Sequence, residues 1–373
     1  MTSLFDPLKI RNIEIKNRIV LPPLVRFSIV GIDGYVTDDL IKWYEDVAQG
    51  GTGLIIVEAT CVSEDGKLRE NQLGLWNDSF TDGLSKIADK CHEYNVPVMI
   101  QIHHAGFKDK IKEVPTTTLE KILEDFKSAF VRAKKAGFDG IEIHGAHTYL
   151  ISQLNSRLWN TRDDKFGGDF LRRMYFSKRL IEETRYLFDD NFILGYRMGG
   201  NEPELQDGIE IAKYLESLGV DILHVSSGVP NPEYLREEKV DVPDDFPLDW
   251  VVYMGTVIKK HVNIPVIGVR KIKKEKDTKK KVESKEGNSR KNIKIDNKVE
   301  TKKNKRGVPK NDRKINVTQE DLDKLCEVYD WYMEVKDLKS MKIKAKTNKK
   351  DIKIEDTNID TLKSTSIKVD KKT

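Results

Sequence analysis

Short apolar runs alternate with longer amphipathic stretches between residues 19 and 270. Each apolar run is rich in β-branched residues and lacks a polar face, which is typical of parallel strands that are buried on both sides. A polar or glycine-containing loop follows each run, and then a segment with helical periodicity. The runs that predict strands are 19–24, 53–59, 96–104, 140–146, 192–198, 220–227 and 264–269.

The helical pattern is clearest in residues 117–137 and 170–188. Thr117 precedes Glu120 by three positions, which predicts a capping box at the start of the first helix, and Gly137 predicts its end. Strands and helices that alternate at this pace predict a parallel α/β fold. A TIM-type (β/α) barrel requires eight such units in about 250 residues.

The sequence supplies seven recognisable units and no eighth one. Residues 273–317 are rich in Lys, Asn and Glu and have too few apolar residues to offset the entropy lost on folding. We therefore expect this segment to be a disordered linker. The predicted barrel domain covers residues 1–272, and its closure is expected to be incomplete or atypical.

Patterns in the C-terminal segment, residues 318–373, which follows the basic linker, are weaker. Thr318 and Asp321 have the spacing of a capping box, and an apolar stripe follows, which predicts a helix over 319–340. From residue 351 onwards Lys and Ile alternate weakly. That pattern is compatible with a marginal strand or with no strand in a weakly structured tail.

The charge of the chain also changes near the end of the predicted barrel domain. Residues 270–314 contain 20 Lys and Arg against 7 Asp and Glu, a net charge of +13. Since residues 315–373 carry +1 and the whole chain carries +4, residues 1–269 carry −10. The basic tract is either a solvated tail or an arm that binds polyanions weakly by counterion release. It has almost no aromatic residue for stacking on bases.

Cysteine usage and hydropathy suggest the compartment. Cys61, Cys91 and Cys326 are too far apart for a C-x-x-C metal site, and their odd number argues against a disulfide framework. No apolar run approaches the roughly 18 residues that a membrane span requires, and the N-terminus does not resemble a signal peptide. We therefore expect a soluble, cytoplasmic protein.

Imidazoles and a guanidinium collect where the predicted strands end. The C-terminal ends of parallel strands in a barrel converge on one mouth, so these side chains are expected to share a pocket. Gln101 lies two residues before His103 in the third strand and therefore faces the same way. The residues at the ends of strands three to five are His103, His104, His144, His147 and Arg197.

The motifs around these strand ends resemble those of the Old Yellow Enzyme family, FMN-dependent NADH:flavin oxidoreductases that fold as TIM barrels. The resemblance covers roughly residues 3–272. The fourth motif is highly specific, because its order of polar residues and glycines is hard to obtain by chance. The motifs are LFDPLKIRNIEIKNRIVLPPL, GTGLIIVEATCVSEDG, QIHHAG, AGFDGIEIHGAHTYLISQLNSRLWNTRDDKFGG and VSSG.

This resemblance implies which residues bind the cofactor and the substrate. Arg197 would lie near N1 and O2 of the flavin, where a fixed guanidinium stabilises the negative charge of the reduced ring. His144 and His147 would hold the substrate oxygen, Phe27 would face the substrate, and Tyr149 would donate a proton. The implied FMN contacts are Pro22, Pro23, Leu24, Val25, Ala59, Gln101, Arg197, Ser227, Gly228, Gly268 and Arg270.

Several positions depart from the family pattern. Val25 replaces a Cys or Thr that often tunes the flavin, Phe27 replaces a frequent Tyr, and Phe107 stands where Arg is usual. Arg270 takes the place of a glycine in the phosphate-binding loop, and the eighth-strand part of that loop has no counterpart. The phosphate site is therefore either rebuilt around Arg270 and its neighbours or lost.

Simpler interpretations exist for some of these residues. Four imidazoles at one mouth could bind a metal ion, but no carboxylate pattern of a metallohydrolase accompanies them, and we predict no metal. Arg197 could be an ordinary ion-pair partner, and Tyr149 could serve only in packing.

Taken together, the sequence predicts an FMN-dependent oxidoreductase of ene-reductase type. It would take electrons from NADH or NADPH and reduce an activated alkene such as an enone. No G-x-G-x-x-G fingerprint opens a helix, which is expected if nicotinamide and substrate use the same flavin face in turn. The alternative is a barrel-derived remnant that binds flavin weakly or not at all and acts as a binding protein through its basic tail.

Overall fold

In this computed structural model, the chain divides into two compact units, Met1–Lys279 and Lys280–Thr373. The structure describes residues 3–228, 240–243, 246–270 and 272, together with the strands at 316–318, 342–344 and 351–355.

The first unit contains a short hairpin and one parallel sheet. The hairpin is antiparallel and consists of β1 (Leu8–Ile10) and β2 (Ile13–Ile15). Every predicted strand is confirmed, and the strands lie side by side in the order of the sequence, which confirms the predicted barrel-type architecture. The parallel strands are β3 (Val20–Leu21), β4 (Leu54–Cys61), β5 (Val98–His103), β6 (Gly140–Gly145), β7 (Ile193–Gly199), β8 (Ile222–Ser226) and β9 (Val266–Gly268).

Helices separate the strands, and each longer helix buries an apolar stripe against the outer face of the sheet. Short 3₁₀ segments occur at Glu64–Gly66, Asp78–Phe80, Lys108–Glu113 and Arg185–Leu187. The α-helices are α1 (Asp38–Gln49), α2 (Thr81–His92), α3 (Thr116–Lys135), α4 (Leu150–Asn155), α5 (Phe170–Arg173), α6 (Tyr175–Thr184), α7 (Leu205–Ser217) and α8 (Trp250–Lys259).

The predicted capping box of α3 is wrong, although its predicted end is confirmed. The helix begins at Thr116 after Pro115, and no side chain caps its N-terminus. Glu120 instead pairs with Lys165 and Arg179, each at 2.5 Å, because long-range cations compete successfully for its carboxylate. Gly137 follows the helix with φ +85°, the left-handed conformation that glycine adopts without strain.

Apolar side chains fill the inner face of the sheet at the N-terminal ends of its strands. Ile10 and Ile15 of the hairpin pack against this layer and cover it from below. Each buried side chain of this kind contributes roughly 1.5–3 kcal/mol to stability. The inner layer comprises Leu54, Ile56, Met99, Ile193 and Ile222.

Polar contacts hold the hairpin in place. The Arg11 side chain forms an ion pair with Asp221 at 2.7 Å and also donates to the Asp189 carbonyl at 3.2 Å. The Asn12 N–H donates to the Asp190 carbonyl at 2.9 Å. These bonds join the hairpin to the loops that precede β7 and β8, across the base of the sheet.

The sheet ends at β3 and β9, which do not pair with each other in the described part of the chain. Residues 264–270, around β9, are half-buried, whereas β4 to β8 are almost entirely buried. Strand β9 is more exposed because no eighth unit covers it within the described residues. This arrangement agrees with the expected incomplete closure.

The second unit contains a three-stranded antiparallel sheet of β10 (Asn316–Thr318), β11 (Lys342–Lys344) and β12 (Asp351–Glu355), in the order β10–β12–β11. Strand β12 falls where Lys and Ile alternate weakly. The helix expected at 319–340, and the expected linker 273–317 apart from two residues of β10, lie outside the described residues. No helix in the part of the chain that the structure describes has the length and hydropathy to cross a membrane.

Candidate active site

Polar side chains line the inner face of the sheet above the apolar layer. Successive residues of a strand point to opposite faces, so each inward apolar residue is followed two positions later by another inward one. Towards the C-terminal ends these inward positions are polar on every long strand. They are Glu58 on β4, Gln101 and His103 on β5, Glu142 and His144 on β6, Arg197 on β7, and His224 and Ser226 on β8.

Three imidazoles and a hydroxyl form a continuous hydrogen-bonded chain at the mouth. The Nδ1 atoms of His103 and His144 are 3.0 Å apart. His144 Nε2 lies 2.9 Å from His147 Nδ1, and His147 Nε2 lies 2.7 Å from Ser226 Oγ. Arg197 donates to the same Oγ at 3.3 Å. The structure therefore brings the predicted catalytic histidines and the predicted flavin-binding arginine together.

Burial keeps these imidazoles neutral. It lowers the pKa of His103 to about 3, and the neighbouring His104 adds to this effect. Burial also lowers the pKa of His144 and of His147 well below the usual imidazole range; the other histidines and Arg197 add to the shift of His144, and Arg197 to that of His147. A neutral imidazole has one N–H donor and one acceptor nitrogen, so the chain of hydrogen bonds has a direction.

His104 is directed away from this chain by the alternation of the strand. Its Nδ1 accepts a hydrogen bond from the Gly106 N–H at 2.9 Å, and burial lowers its pKa to about 4. Its ring packs so closely over Gly66 that a Cβ there would overlap it. His104 therefore has a packing role at the edge of the mouth.

Tyr149 packs against the histidine chain. Its ring centroid lies 4.5 Å from that of His103 and 4.9 Å from that of His144, edge to face in both cases. The backbone just before it is unusual, because His147 and Thr148 have φ values of +62° and +63°. Two consecutive non-glycine residues in the left-handed region cost free energy, and such strain is typical of functional sites.

The buried carboxyl of Glu58 holds the loop that follows β3. Its Oε2 accepts from the Arg26 N–H at 3.0 Å, and its Oε1 has no hydrogen-bond partner among the described residues. Burial raises the pKa of Glu58 to about 8. The β4–β5 register shifts between Val57 and Thr60, so a bulge is centred on this residue and Ala59.

The predicted contacts near the flavin ring lie around this bulge. Pro22 and Pro23 are buried directly after β3, and Leu24 and Val25 are half-buried. The Ala59 carbonyl accepts from the Gln72 side chain at 2.8 Å. The half-buried ring of Phe27 lies under the Arg69 guanidinium, 4.9 Å from its centroid.

The predicted phosphate contacts already have partners within the chain. The Gly228 N–H donates to the Asn201 side chain at 2.9 Å. Arg270 forms an ion pair with Asp249 at 3.5 Å and stacks on Trp250. Its φ of +94° lies in the left-handed region that favours glycine. Gly268 ends β9, and a Cβ there would be in ordinary van der Waals contact with the Val252 side chain.

Sequence reasoning missed four inward polar residues: Glu58, Glu142, His224 and Ser226. Ser227 was predicted instead of Ser226, but Ser226 is the serine whose hydroxyl joins the histidine chain. All four could have been found from the rule that every second residue of a strand faces the same side. Among the described residues, no group of three or more His, Cys, Asp or Glu side chains is arranged to hold a metal ion.

Comparison with known proteins identifies the family. The sequence matches the NADH:flavin oxidoreductase / NADH oxidase family over residues 3–120 and 108–289. The chain belongs to this family. The match confirms the family-level prediction of an FMN- and nicotinamide-dependent oxidoreductase, and it covers the strands that carry the histidine chain.

Curated relatives in this family are about one-third identical to the chain. An NADH oxidase from Thermoanaerobacter brockii is 37% identical over 296 residues, covering 72% of this chain and 45% of that protein. An NADPH dehydrogenase from Listeria monocytogenes serotype 4b is 37% identical over 252 residues, covering 61% of this chain and 74% of the relative. The chain thus spans under half of the first relative and about three-quarters of the second.

Solved structures share the fold. A 2-naphthoyl-CoA reductase superposes with a TM-score of 0.61 at 22% identity, over 71% of this chain and 46% of that one. An old yellow enzyme homologue from Zymomonas mobilis gives 0.58 at 24% identity, over 71% and 81%. Morphinone reductase in complex with tetrahydroNAD gives 0.58 at 19% identity, over 71% and 80%. These likenesses establish the barrel fold.

The residues at the mouth fit the ring of FMN better than its phosphate. Arg197 and Gln101 place a guanidinium and a carboxamide at inward positions, and the buried His103 Nε2 has no hydrogen-bond partner in the described part of the chain. This set of polar groups suits the polar edge of a flavin. On the phosphate side, the Gly228 N–H is bonded to the Asn201 side chain, and Arg270 forms an ion pair with Asp249.

Proposed function

We propose that this chain is an ene-reductase, an FMN-dependent enzyme that oxidises NADH or NADPH and reduces an activated alkene such as an enone. The observation that carries the proposal is the contact between His144 and His147, 2.9 Å apart beside Arg197 and Tyr149. Relatives in the family are named for the oxidation of NADH or of NADPH, and this chain would share that activity.

The two histidines would bind the electron-withdrawing group of the substrate. Bound FMN would supply the hydride to the β-carbon of the alkene. His144 and His147 would each donate a hydrogen bond to the carbonyl or nitro oxygen, which stabilises the enolate charge as it develops. Because both imidazoles are neutral, each can donate from Nε2 only if its Nδ1 is an acceptor.

Only one direction of the histidine chain supplies both donors. If His103 donates from Nδ1 to His144 Nδ1, then His144 donates from Nε2 to His147, and His147 donates from Nε2 to Ser226. An arriving substrate oxygen can replace these two acceptors. In the opposite direction both Nε2 atoms would be acceptors and would repel the oxygen.

Tyr149 would complete the reduction by donating its phenol proton to the α-carbon. The ring contacts with His103 and His144 support this role, because they place the phenol in the same pocket. Phe27 would face the substrate from the opposite side of the mouth.

The contrasting candidate is a barrel that binds flavin too weakly to act as an enzyme. The observation in its favour is that Gly228 and Arg270 already have partners within the chain. The absorbance spectrum of the purified protein, before and after addition of FMN, separates these two functions.

The test of the ene-reductase proposal is rapid-mixing kinetics on the FMN-loaded protein. His147→Ala should slow oxidation of the reduced enzyme by an enone about a hundredfold and affect reduction by NAD(P)H much less. His261→Ala serves as the matched control, because His261 is exposed and bonds only to the Val257 carbonyl among the described residues. Equal losses in both half-reactions would assign His147 to flavin binding and contradict the proposal.

A further inference from the structure

Three buried polar side chains form a hydrogen-bonded unit next to the histidine chain. Gln101 Nε2 donates to Glu142 Oε1 at 2.7 Å, and His224 Nδ1 lies 2.8 Å from Glu142 Oε2. Each of the three residues is only 1% exposed. No residue of the proposed reaction other than Gln101 belongs to this triad.

The position of the triad is set by the register of the sheet. Gln101 and Glu142 are direct partners between β5 and β6. His224 is the direct partner of Arg197, and Arg197 is the partner of His144. Gln101 and Glu142 therefore lie one inward position closer to the apolar base than His103 and His144, whereas His224 is in register with Arg197 at the mouth, where this fold binds its ligands.

Hydrogen-bond chemistry gives the triad a fixed orientation. A carboxylate only accepts hydrogen bonds, so Glu142 requires an N–H from each neighbour. Gln101 must then direct its Nε2 towards Glu142, and its Oε1 must point elsewhere. His224 must carry its proton on Nδ1. Glu142 thus determines which way round the Gln101 amide lies, a choice that the amide alone would leave open.

Burying a carboxylate here has an energetic cost that packing does not explain. Replacing buried charged groups by apolar residues of similar volume is often neutral or stabilising, because desolvation of a buried charge often exceeds what its partners return. The inward residues immediately below are apolar, so the barrel can fill such positions without polar groups. The triad therefore serves something other than stability.

We propose that Glu142, held by His224, is a positioning residue for the flavin ring. It fixes the Gln101 amide so that Oε1 and the second N–H of Nε2 face the mouth. The pyrimidine edge of a flavin has an N–H donor flanked by carbonyl acceptors, and an amide fixed in this way is complementary to it. Glu142 acts through Gln101 and does not itself touch the cofactor.

The test is Glu142→Gln, which keeps the shape and introduces a donor. The new amide cannot accept from both neighbours with the same geometry, so Gln101 must turn over or lose its bond. The dissociation constants of FMN and of riboflavin should both rise by the same factor, about tenfold or more, since one buried hydrogen-bonding group is left unsatisfied. The absorption spectrum of the bound flavin should shift as well.

Several outcomes would overturn the proposal. In the first, Glu142→Gln leaves the dissociation constants and the spectrum of the bound flavin unchanged. In the second, the dissociation constant changes for FMN but not for riboflavin. In the third, the melting temperature of the flavin-free protein falls while the flavin affinity is unchanged. The second outcome would indicate an effect on the phosphate, and the third a purely structural role. Failure of the unmodified protein to bind riboflavin at any accessible concentration would also overturn it.

A pair of variants at His224 separates orientation from packing. His224→Asn keeps an N–H close to the position of Nδ1 and should retain nearly the original flavin affinity. His224→Leu removes the donor and should behave like Glu142→Gln. If both variants bind flavin equally well, or if both lose affinity equally, His224 does not hold Glu142 in the proposed way. These readouts are binding and spectra, so they do not depend on the alkene reaction.

Discussion

The Nδ1 atoms of His103 and His144 lie 3.0 Å apart in a buried hydrogen bond, so one nitrogen carries the proton and the other accepts it. His144 can donate from Nε2 only when its Nδ1 is the acceptor. His103 therefore determines whether the predicted catalytic imidazole presents an N–H or a lone pair to the substrate.

Replacement of His103 should affect alkene reduction according to the donor that remains. His103→Leu removes the Nδ1–H and should slow oxidation of the reduced enzyme by an enone about tenfold, the worth of one hydrogen bond. His103→Asn places an amide N–H near the same position and should restore most of the rate. Nitrogen-15 NMR of the histidines should show His144 protonated on Nε2. Protonation on Nδ1 would contradict this account.

Tyr149→Phe removes the predicted proton donor and leaves the ring contacts with the histidines. Reduction by NAD(P)H should be nearly unchanged, whereas formation of the saturated product should slow by about a hundredfold or more. Single-turnover product analysis, with flavin absorbance followed in parallel, provides the measurement. If the variant forms product at the original rate, Tyr149 is not the proton donor and has only a packing role.

Glu58 should make stability depend on pH. Burial raises its pKa from 4.5 to about 8, so the folded chain keeps a proton that the unfolded chain releases. Its contribution is complete below about pH 4.5 and is lost as the pH rises through about 8. The free energy of unfolding of Glu58→Gln, relative to the unmodified protein, should therefore increase between about pH 5 and about pH 8. Denaturant titrations across this range test the sign, and a constant or falling difference would refute it.

The pairing of Gly228 and Arg270 within the chain predicts weak recognition of phosphate. The protein should purify largely free of flavin, and riboflavin should bind within about tenfold of FMN, or roughly 1.4 kcal/mol. Excess FMN should stabilise the protein by RT ln(1 + [L]/Kd), about 2.7 kcal/mol at a hundredfold excess. Fluorescence titrations and melting temperatures provide both values. A stoichiometrically yellow protein with a strong preference for FMN would show that Arg270 does bind the phosphate.

The strands of the barrel could be predicted because each is buried on both faces and therefore reads as a continuous apolar run. The spacing of neighbouring residues was less informative about helix capping, because residues far away in the sequence can bind the same side chain. Thr117 and Glu120 have the spacing of a capping box, but Lys165 and Arg179 bind the Glu120 carboxylate. A rule based on three residues of sequence cannot include partners that lie about 50 positions away.

The candidate site was predictable where a side chain ends a strand and much less so inside the strands. His144, His147, Tyr149 and Arg197 lie at the strand ends, and the structure brings them together. Glu142 and His224 are flanked by apolar residues, and their pairing depends on the register between strands that are 82 positions apart in the chain. The alternation of inward and outward residues can be read from the sequence. Which inward residue contacts which other one across the barrel cannot.

The hairpin at the base has a mechanical consequence for the mouth. Arg11 and Asn12 connect it to the loops before β7 and β8, so these strands are held together at their base. Strands β3 and β9 do not pair with each other in the part of the chain that the structure describes. Strands that are held together at their base can separate most at their other end. Here that end carries the histidine chain, roughly 20 Å from the hairpin contacts. The width of the mouth is therefore expected to depend on contacts at the opposite end of the strands, made by residues outside the candidate site.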